Sequence, residues 1–195
     1  RADTRPLANW RVENGILPIA PPPPEPRDGV VVTLDPDPPL KDPTGGATPE
    51  PVTLEARPLR LDPRIAAVAV GTPVAIRNDA QVPRTFYLKD GESFMPREAT
   101  PPGASRQVKF TVIGEYEIGD ADQHVAATVL VVGTPYHGIT DDKGAFAFEA
   151  PEGAYLLRAY YRGAWTPPQP VEVGKVKEVA LKLPAPKSAA RSAAA

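Results

Sequence analysis

Proline and glycine interrupt this chain so often that long helices have little room to form: 27 Pro and 15 Gly make up about a fifth of its 195 residues. A Pro in a helix interior removes a hydrogen-bond donor and collides with the preceding turn, costing about 3 kcal/mol. Fourteen of the 27 Pro fall in the first 60 residues, among them the run Pro21-Pro22-Pro23-Pro24. Such a run prefers an extended conformation without internal hydrogen bonds. Residues 1–28 therefore read as a stiff strap across a surface, with a ligand for a proline-recognition module as the alternative. The punctuation still falls short of the roughly 25–30 % expected of a non-periodic disordered chain. An apolar share of 42 % can build cores.

Between the breaks lie short β-type segments. Gly29-Val30-Val31-Val32-Thr33-Leu34 is β-branched and closed by Asp35-Pro36, and residues 37–50 then read as a linker. From residue 51 onward, segments 52–59, 65–70, 73–77, 85–88, 107–112, 116–118 and 125–132 are each bounded by Gly, Pro or Asp. Val108, Phe110 and Val112 alternate with Lys109 and Thr111, the period of a sheet with one wet face. No segment shows a comparable 3.6-residue stripe. Seven short strands over roughly 80 residues predict an antiparallel β-sandwich. The Pro-broken loop 89–105 is expected on the surface.

A second all-β pattern begins at Thr134. Asp141-Asp142-Lys143-Gly144 predicts a hairpin turn, with strands expected at 145–149, 155–162, 171–173 and 179–183. The tail 185–195 is Ala, Pro, Lys, Arg and Ser, too poor in large apolar groups to pack, and is expected to be flexible.

Composition narrows the chemistry. There is no Cys, and there are two His and one Met, which removes disulfides, thiolate nucleophiles, zinc fingers and iron–sulfur clusters. A formal net charge of −2 supplies no field toward nucleic acid or anionic membranes. The longest apolar stretch, 125–132, is far below the roughly 18 residues of a membrane span. The chain opens at Arg1, which fits a processed export signal or a trimmed start. Ser93 and Ser105 have no His in a recognisable motif. Gly71, Gly103 and Gly114 are isolated turn glycines. Glu115 and Glu117 share one face of an expected strand and read as a solvated edge.

The stretch 51–132, with Val70-Gly71-Thr72-Pro73-Val74-Ala75-Ile76-Arg77-Asn78-Asp79 at its centre, resembles the cupredoxin-type domain of exported bacterial proteins described as plastocyanin-like or methylamine-utilisation-like. Thr134-Pro135-Tyr136, Thr140-Asp141-Asp142-Lys143-Gly144-Ala145-Phe146 and Pro151-Glu152-Gly153-Ala154-Tyr155-Leu156-Leu157 resemble the carboxypeptidase-regulatory-like module that accompanies it. The resemblance implies an all-β chain: an antiparallel Greek-key cupredoxin-like sandwich at 51–133, and a smaller transthyretin-like or carboxypeptidase-regulatory-like sandwich. By analogy the smaller one is discontinuous, built from 29–36 plus 134–184.

In the resembled family a blue copper is held by two imidazoles, a thiolate and usually a thioether. The position matching the first His is Arg84. Counting back from Thr134-Pro135-Tyr136 places the other ligands at Gly119, Asp122 and Val125, so all four ligand types are lost and no cofactor or metal is expected. Arg84 and Asp122 are expected either to pair across the vacated site or to stand as two separate solvated charges. The loop carrying Asp120, Asp122 and His124 offers alternating ligands for a divalent cation, or simply satisfies turn backbone. His137 is expected to cap or pack the domain junction, and Met95 to be an apolar plug or a loop-tip contact. Tyr160, Tyr161, Arg162 and Trp165 are expected to form an exposed rim suited to a protein interface.

The expected function is that of a non-enzymatic structural or interaction protein, periplasmic or extracellular, serving as an accessory subunit of a larger protein assembly, with no small-molecule ligand. The alternatives are a metal-binding or electron-transfer protein using His124, His137 and Met95, and a glycan-binding protein using Tyr160, Tyr161 and Trp165.

Overall fold

The computed structural model describes residues 29–42, 45–46, 49–89, 95–122, 124–141, 143–175 and 178–183. The Pro-rich segment 1–28 and the tail 185–195 lie outside the described residues. The regular elements among the described residues are strands: β1 (Val31–Pro36), β2 (Val52–Arg57), β3 (Arg60–Asp62), β4 (Ile65–Ala69), β5 (Pro73–Asn78), β6 (Arg84–Leu88), β7 (Glu98–Thr100), β8 (Ser105–Lys109), β9 (Gly114–Asp120), β10 (Val125–Val132), β11 (His137–Ile139), β12 (Gly153–Tyr161), β13 (Ala164–Trp165) and β14 (Gln169–Val173). The chain is all-β, and no helix is long and apolar enough to cross a membrane among these residues.

Two sheets face each other. One runs β4-β10-β9-β6-β7 and the other β3-β2-β5-β8. Their inward side chains, including Leu54, Ile76, Phe86, Val108, Ile118 and Val129, form one core. Period-two alternation sets this up: along β6, Arg84, Phe86 and Leu88 are buried while Thr85 and Tyr87 are half-buried. Met95 is fully buried in the same core, so the long loop after β6 sends one side chain inward as a plug. Most pairs are antiparallel, and each sheet also holds one parallel pair, β4 with β10 and β2 with β5. Parallel neighbours need a crossover rather than a tight turn, and here the intervening strands supply it.

The remaining sheet is assembled from distant parts of the chain. β1 lies between β11 and β12, with Val31 opposite both Ile139 and Tyr160, and β12 also pairs with β13 and β14. One face carries its own core of Val30, Val32, Leu34, Tyr155, Leu157, Ala159 and Tyr161. The turn at 141–144 closes as expected: Asp141 Oδ1 accepts the Lys143 and Ala145 N–H groups, and Gly144 takes φ +80°. The segments 145–149 and 179–183, expected as strands, make no sheet ladder. Phe146, Phe148, Val179, Leu181 and Leu183 instead pack their alternate side chains on that core as extended cover. Period-two alternation reports which side chains face inward, and it is satisfied here without a backbone partner.

The opposite face of the β1/β12 sheet sits on the sandwich. Val31 and Tyr160 meet Leu130 of β10, with Ile65 and Ala67 of β4 packed against them. Gly29, at φ +77°, enters this seam so closely that a Cβ would lie 2.6 Å from Ile65 Cγ2, which leaves room for glycine alone.

Candidate functional site

The site is built at the end of the sandwich where β5, β6 and β9 finish or begin. Asn78 closes β5 with its amide fully buried. Its Nδ2 donates to Val82 O at 2.9 Å and Thr100 O at 2.8 Å, and its Oδ1 accepts the Ala80 N–H. Its own backbone is bonded to Ala104 and Gly103. The side chain ties the 80–82 loop to the end of β7 and the backbone adds the 103–104 turn, because a buried amide is stable only when its donors and acceptor are matched. This fixes where the chain enters β6.

Arg84, the first residue of β6, points inward. Its Nε donates to Asp120 Oδ2 at 2.7 Å, with the two side chains 3 % and 0 % exposed. Its guanidinium also reaches Arg57 O at 3.4 Å. The expected partner, Asp122, is not the one chosen. Asp122 has its Oδ2 on the Thr85 N–H at 2.5 Å and its own N–H on Asp120 Oδ1 at 2.9 Å. The reason is strand parity: Ile118 is a core residue of β9, so Asp120, two positions on, shares its inward face, whereas Asp122 lies past the strand end. Residues 118, 120 and 122 share that parity, so the end of β9 at Asp120 is what separates the two carboxylates.

The other positions assigned by the resemblance offer no donors to a metal. Gly119 is opposite Tyr87 in the β6–β9 register, and the Tyr87 ring lies where a Cβ on Gly119 would go. Arg97 stacks over that ring at 4.5 Å from its centroid. Val125 packs against the core. A copper site built from imidazole, thiolate and thioether does not fit a guanidinium, a hydrogen side chain under a phenol ring, a carboxylate bound to backbone and an isopropyl group.

The candidate cation loop does not converge either. Asp120 is buried against Arg84, Asp122 faces β6, and His124 is exposed in the turn into β10 at φ +53°. His137 sits at the far end of β10, on β11. Its Nδ1 lies 3.0 Å from Thr134 O, and its ring is also hydrogen-bonded to the Ala67 backbone of β4. Burial pushes its pKa below the ordinary value, against those two carbonyl contacts. It ties the two parts of the structure together at their junction. Ala67 pairs with Leu130, five residues along β10 from Val125, so the two His are separated by about 17 Å of strand. Met95 is inside the sandwich core. Among the described residues no group of three or more His, Asp or Glu could hold a metal ion.

The expected exposed rim is partly buried. Tyr160 is 4 % exposed and Tyr161 6 %, because odd positions of β12 fill one core while Tyr160 fills the seam. The Tyr160 pKa is raised, first by burial and then by a hydrogen bond to the Glu115 side chain. Glu115, read from sequence as a solvated edge, is exposed and reaches the seam through Tyr160. Arg162 lies over the Tyr161 ring at 5.4 Å, and Trp165 remains 37 % exposed.

No family model and no curated protein matches the chain. Solved structures similar to it include a reduced amicyanin variant, at 13 % identity and TM-score 0.39, covering 52 % of this chain and 98 % of that one. A mutant plastocyanin of fern matches at 12 % identity and TM-score 0.37, over 42 % of this chain and all of the other. A copper-containing nitrite reductase from Thermus scotoductus matches at 20 % identity and TM-score 0.37, over 44 % of this chain and 23 % of that one.

Proposed function

We propose that this chain is a non-enzymatic interaction protein: a cupredoxin-like sandwich that has exchanged its metal for a buried ion pair. It is joined to a carboxypeptidase-regulatory-like module formed by 29–36 and 134–184, and it works outside the cytoplasm as an accessory subunit of a larger protein assembly. The observation that carries this reading is the Arg84–Asp120 contact at 2.7 Å, buried where the resemblance would place copper. A fixed guanidinium there repels a cation and fills its space. Exposed Val112 and Ile113, adjacent on the sandwich, supply apolar contact points for a partner.

Copper loading followed by metal analysis, visible spectra and paramagnetic resonance tests the first half. The expected result is no stoichiometric copper. One tightly held ion per chain, lost in His124→Ala, overturns it. Affinity isolation from the native envelope tests the second half. Stable co-purifying proteins are expected, and recovery of the free monomer alone overturns the subunit role.

A further inference from the structure

At one end of the seam, a cleft of about 420 Å³ opens between the β1/β12 sheet and the sandwich, lined by Asp35, Arg158, Trp165, Leu156, Ile113 and Pro39 among others. That size lies within the roughly 300–1,000 Å³ typical of small-ligand sites. Three features give it a chemical character.

The first is a rigid aromatic plate. Trp165 pairs with Tyr160 across β12 and β13, and its indole meets the Tyr160 ring edge-on at 5.3 Å. Tyr160 is itself locked in the seam and bonded to Glu115. The indole is therefore held before any ligand arrives, with the Arg158 guanidinium over its ring at 5.1 Å from the centroid, and a ligand stacks on the part of the indole left exposed, which lowers the ordering cost of binding. The second is a preformed donor–acceptor pair. Arg158 donates from Nε at 2.9 Å and from its terminal nitrogen at 2.6 Å to Asp35 Oδ2, with Thr33 Oγ1 on the same oxygen at 3.3 Å. Asp35 Oδ1 and the remaining Arg158 N–H groups have no other hydrogen-bond partner among the described residues. The third is charge. Asp35 and Arg158 cancel, and Asp37 on the rim leaves the lining slightly negative.

A ligand that matches must present an apolar face to the indole, offer both donors and acceptors to the pair, and carry no negative charge. A sugar ring does so: its C–H face stacks on an aromatic plate, and each hydroxyl both donates and accepts. A polyproline segment supplies carbonyl acceptors for Arg158, but having no N–H it leaves Asp35 without a donor. An acidic ligand is repelled. We propose that this cleft binds a neutral sugar residue, stacked on Trp165 and hydrogen-bonded by Arg158 and Asp35. The site differs from the glycan reading of the sequence in using Arg158 and Asp35 in place of the buried Tyr160 and Tyr161.

The test titrates the full chain with maltotriose, cellotriose and chitotriose in turn. A Trp10→Phe background leaves Trp165 as the reporting indole, and saturation-transfer NMR reads ligand contact independently. At least one trisaccharide should give a saturable fluorescence change and saturation transfer. Trp165→Ala should abolish the transfer, Trp165→Tyr should retain part of it, and Arg158→Ala should weaken binding about tenfold or more. Circular dichroism of each variant establishes that it is folded. Should Trp165→Ala not fold, the Trp165→Tyr and Arg158→Ala results decide. No saturation with any of the three sugars, transfer unchanged by these substitutions, or saturation of the site by a peptide of residues 18–27 but by no sugar would overturn the proposal.

Discussion

Arg84 and Asp120 stand 36 positions apart in sequence and 2.7 Å apart in the fold, joined between neighbouring strands with almost no solvent access to either. A pair so enclosed gains its attraction at the cost of desolvating both charges, so its net contribution is small while its integrity matters greatly.

Breaking one side should therefore cost far more than removing both. Arg84→Met or Asp120→Leu alone should destabilise by about 3–5 kcal/mol, and the double substitution by much less. Urea unfolding of the two singles and the double measures the difference. Additive losses would mean that the two charges are not coupled.

Gly119 is held bare by the Tyr87 ring. Gly119→Ala should lower stability by about 1–3 kcal/mol, the range for overfilling a packed site. Tyr87→Ala in the same chain should recover part of the loss. Thermal unfolding of the single and double variants checks this, and an unchanged melting temperature in Gly119→Ala would refute it.

His137 should make stability depend on pH. Burial lowers its folded pKa below the ordinary 6.5, so the folded state favours the neutral ring. The unfolded chain then binds more protons as pH falls, and stability is complete above about 6.5 and declines between 6.5 and the lower folded value. Urea midpoints from pH 7.5 to 5 should fall in the native chain and fall less in His137→Gln. A rise on acidification would reverse the sign of the argument.

Tyr160→Phe removes the hydroxyl that reaches Glu115 across the seam. Because Glu115 is exposed, the loss should be modest, about 1 kcal/mol. In an alkaline ultraviolet titration Tyr160 should ionise well above the ordinary tyrosine value of 10, since burial and the nearby carboxylate both disfavour the phenolate. The late step should vanish in Tyr160→Phe, and its persistence would place it on another tyrosine.

Much of this architecture was legible from residue order because it rests on local signals. The breaks at Gly and Pro and the β-branched runs locate most of the sandwich strands within two or three residues, and the Asp141 to Gly144 turn is fixed by side-chain bonds to its own backbone. Pairing is another matter. Phe146 and Leu181 alternate with small or polar neighbours as strand residues do, yet they find only a packing surface and no ladder. Spacing borrowed from a resemblance points to Asp122, and the parity of Ile118 is shared by Asp120 and Asp122 alike; the end of β9, set by its pairing with β10, is what separates them. Tyr160 reads the same as Tyr161 in a one-dimensional pattern. What separates them is that β12 is covered on both faces, once by its own core and once by the sandwich.

The placement of β1 between β11 and β12 has a consequence for how the molecule comes into being. Val31 leaves the ribosome more than a hundred codons before its neighbours Ile139 and Tyr160. Until they are translated, a strand rich in valine has no edge to join, while everything from β2 to β10 can already close on itself. The growing chain must keep that adhesive segment away from other copies over this interval, and the sheet it founds is completed only after the sandwich strands have been made.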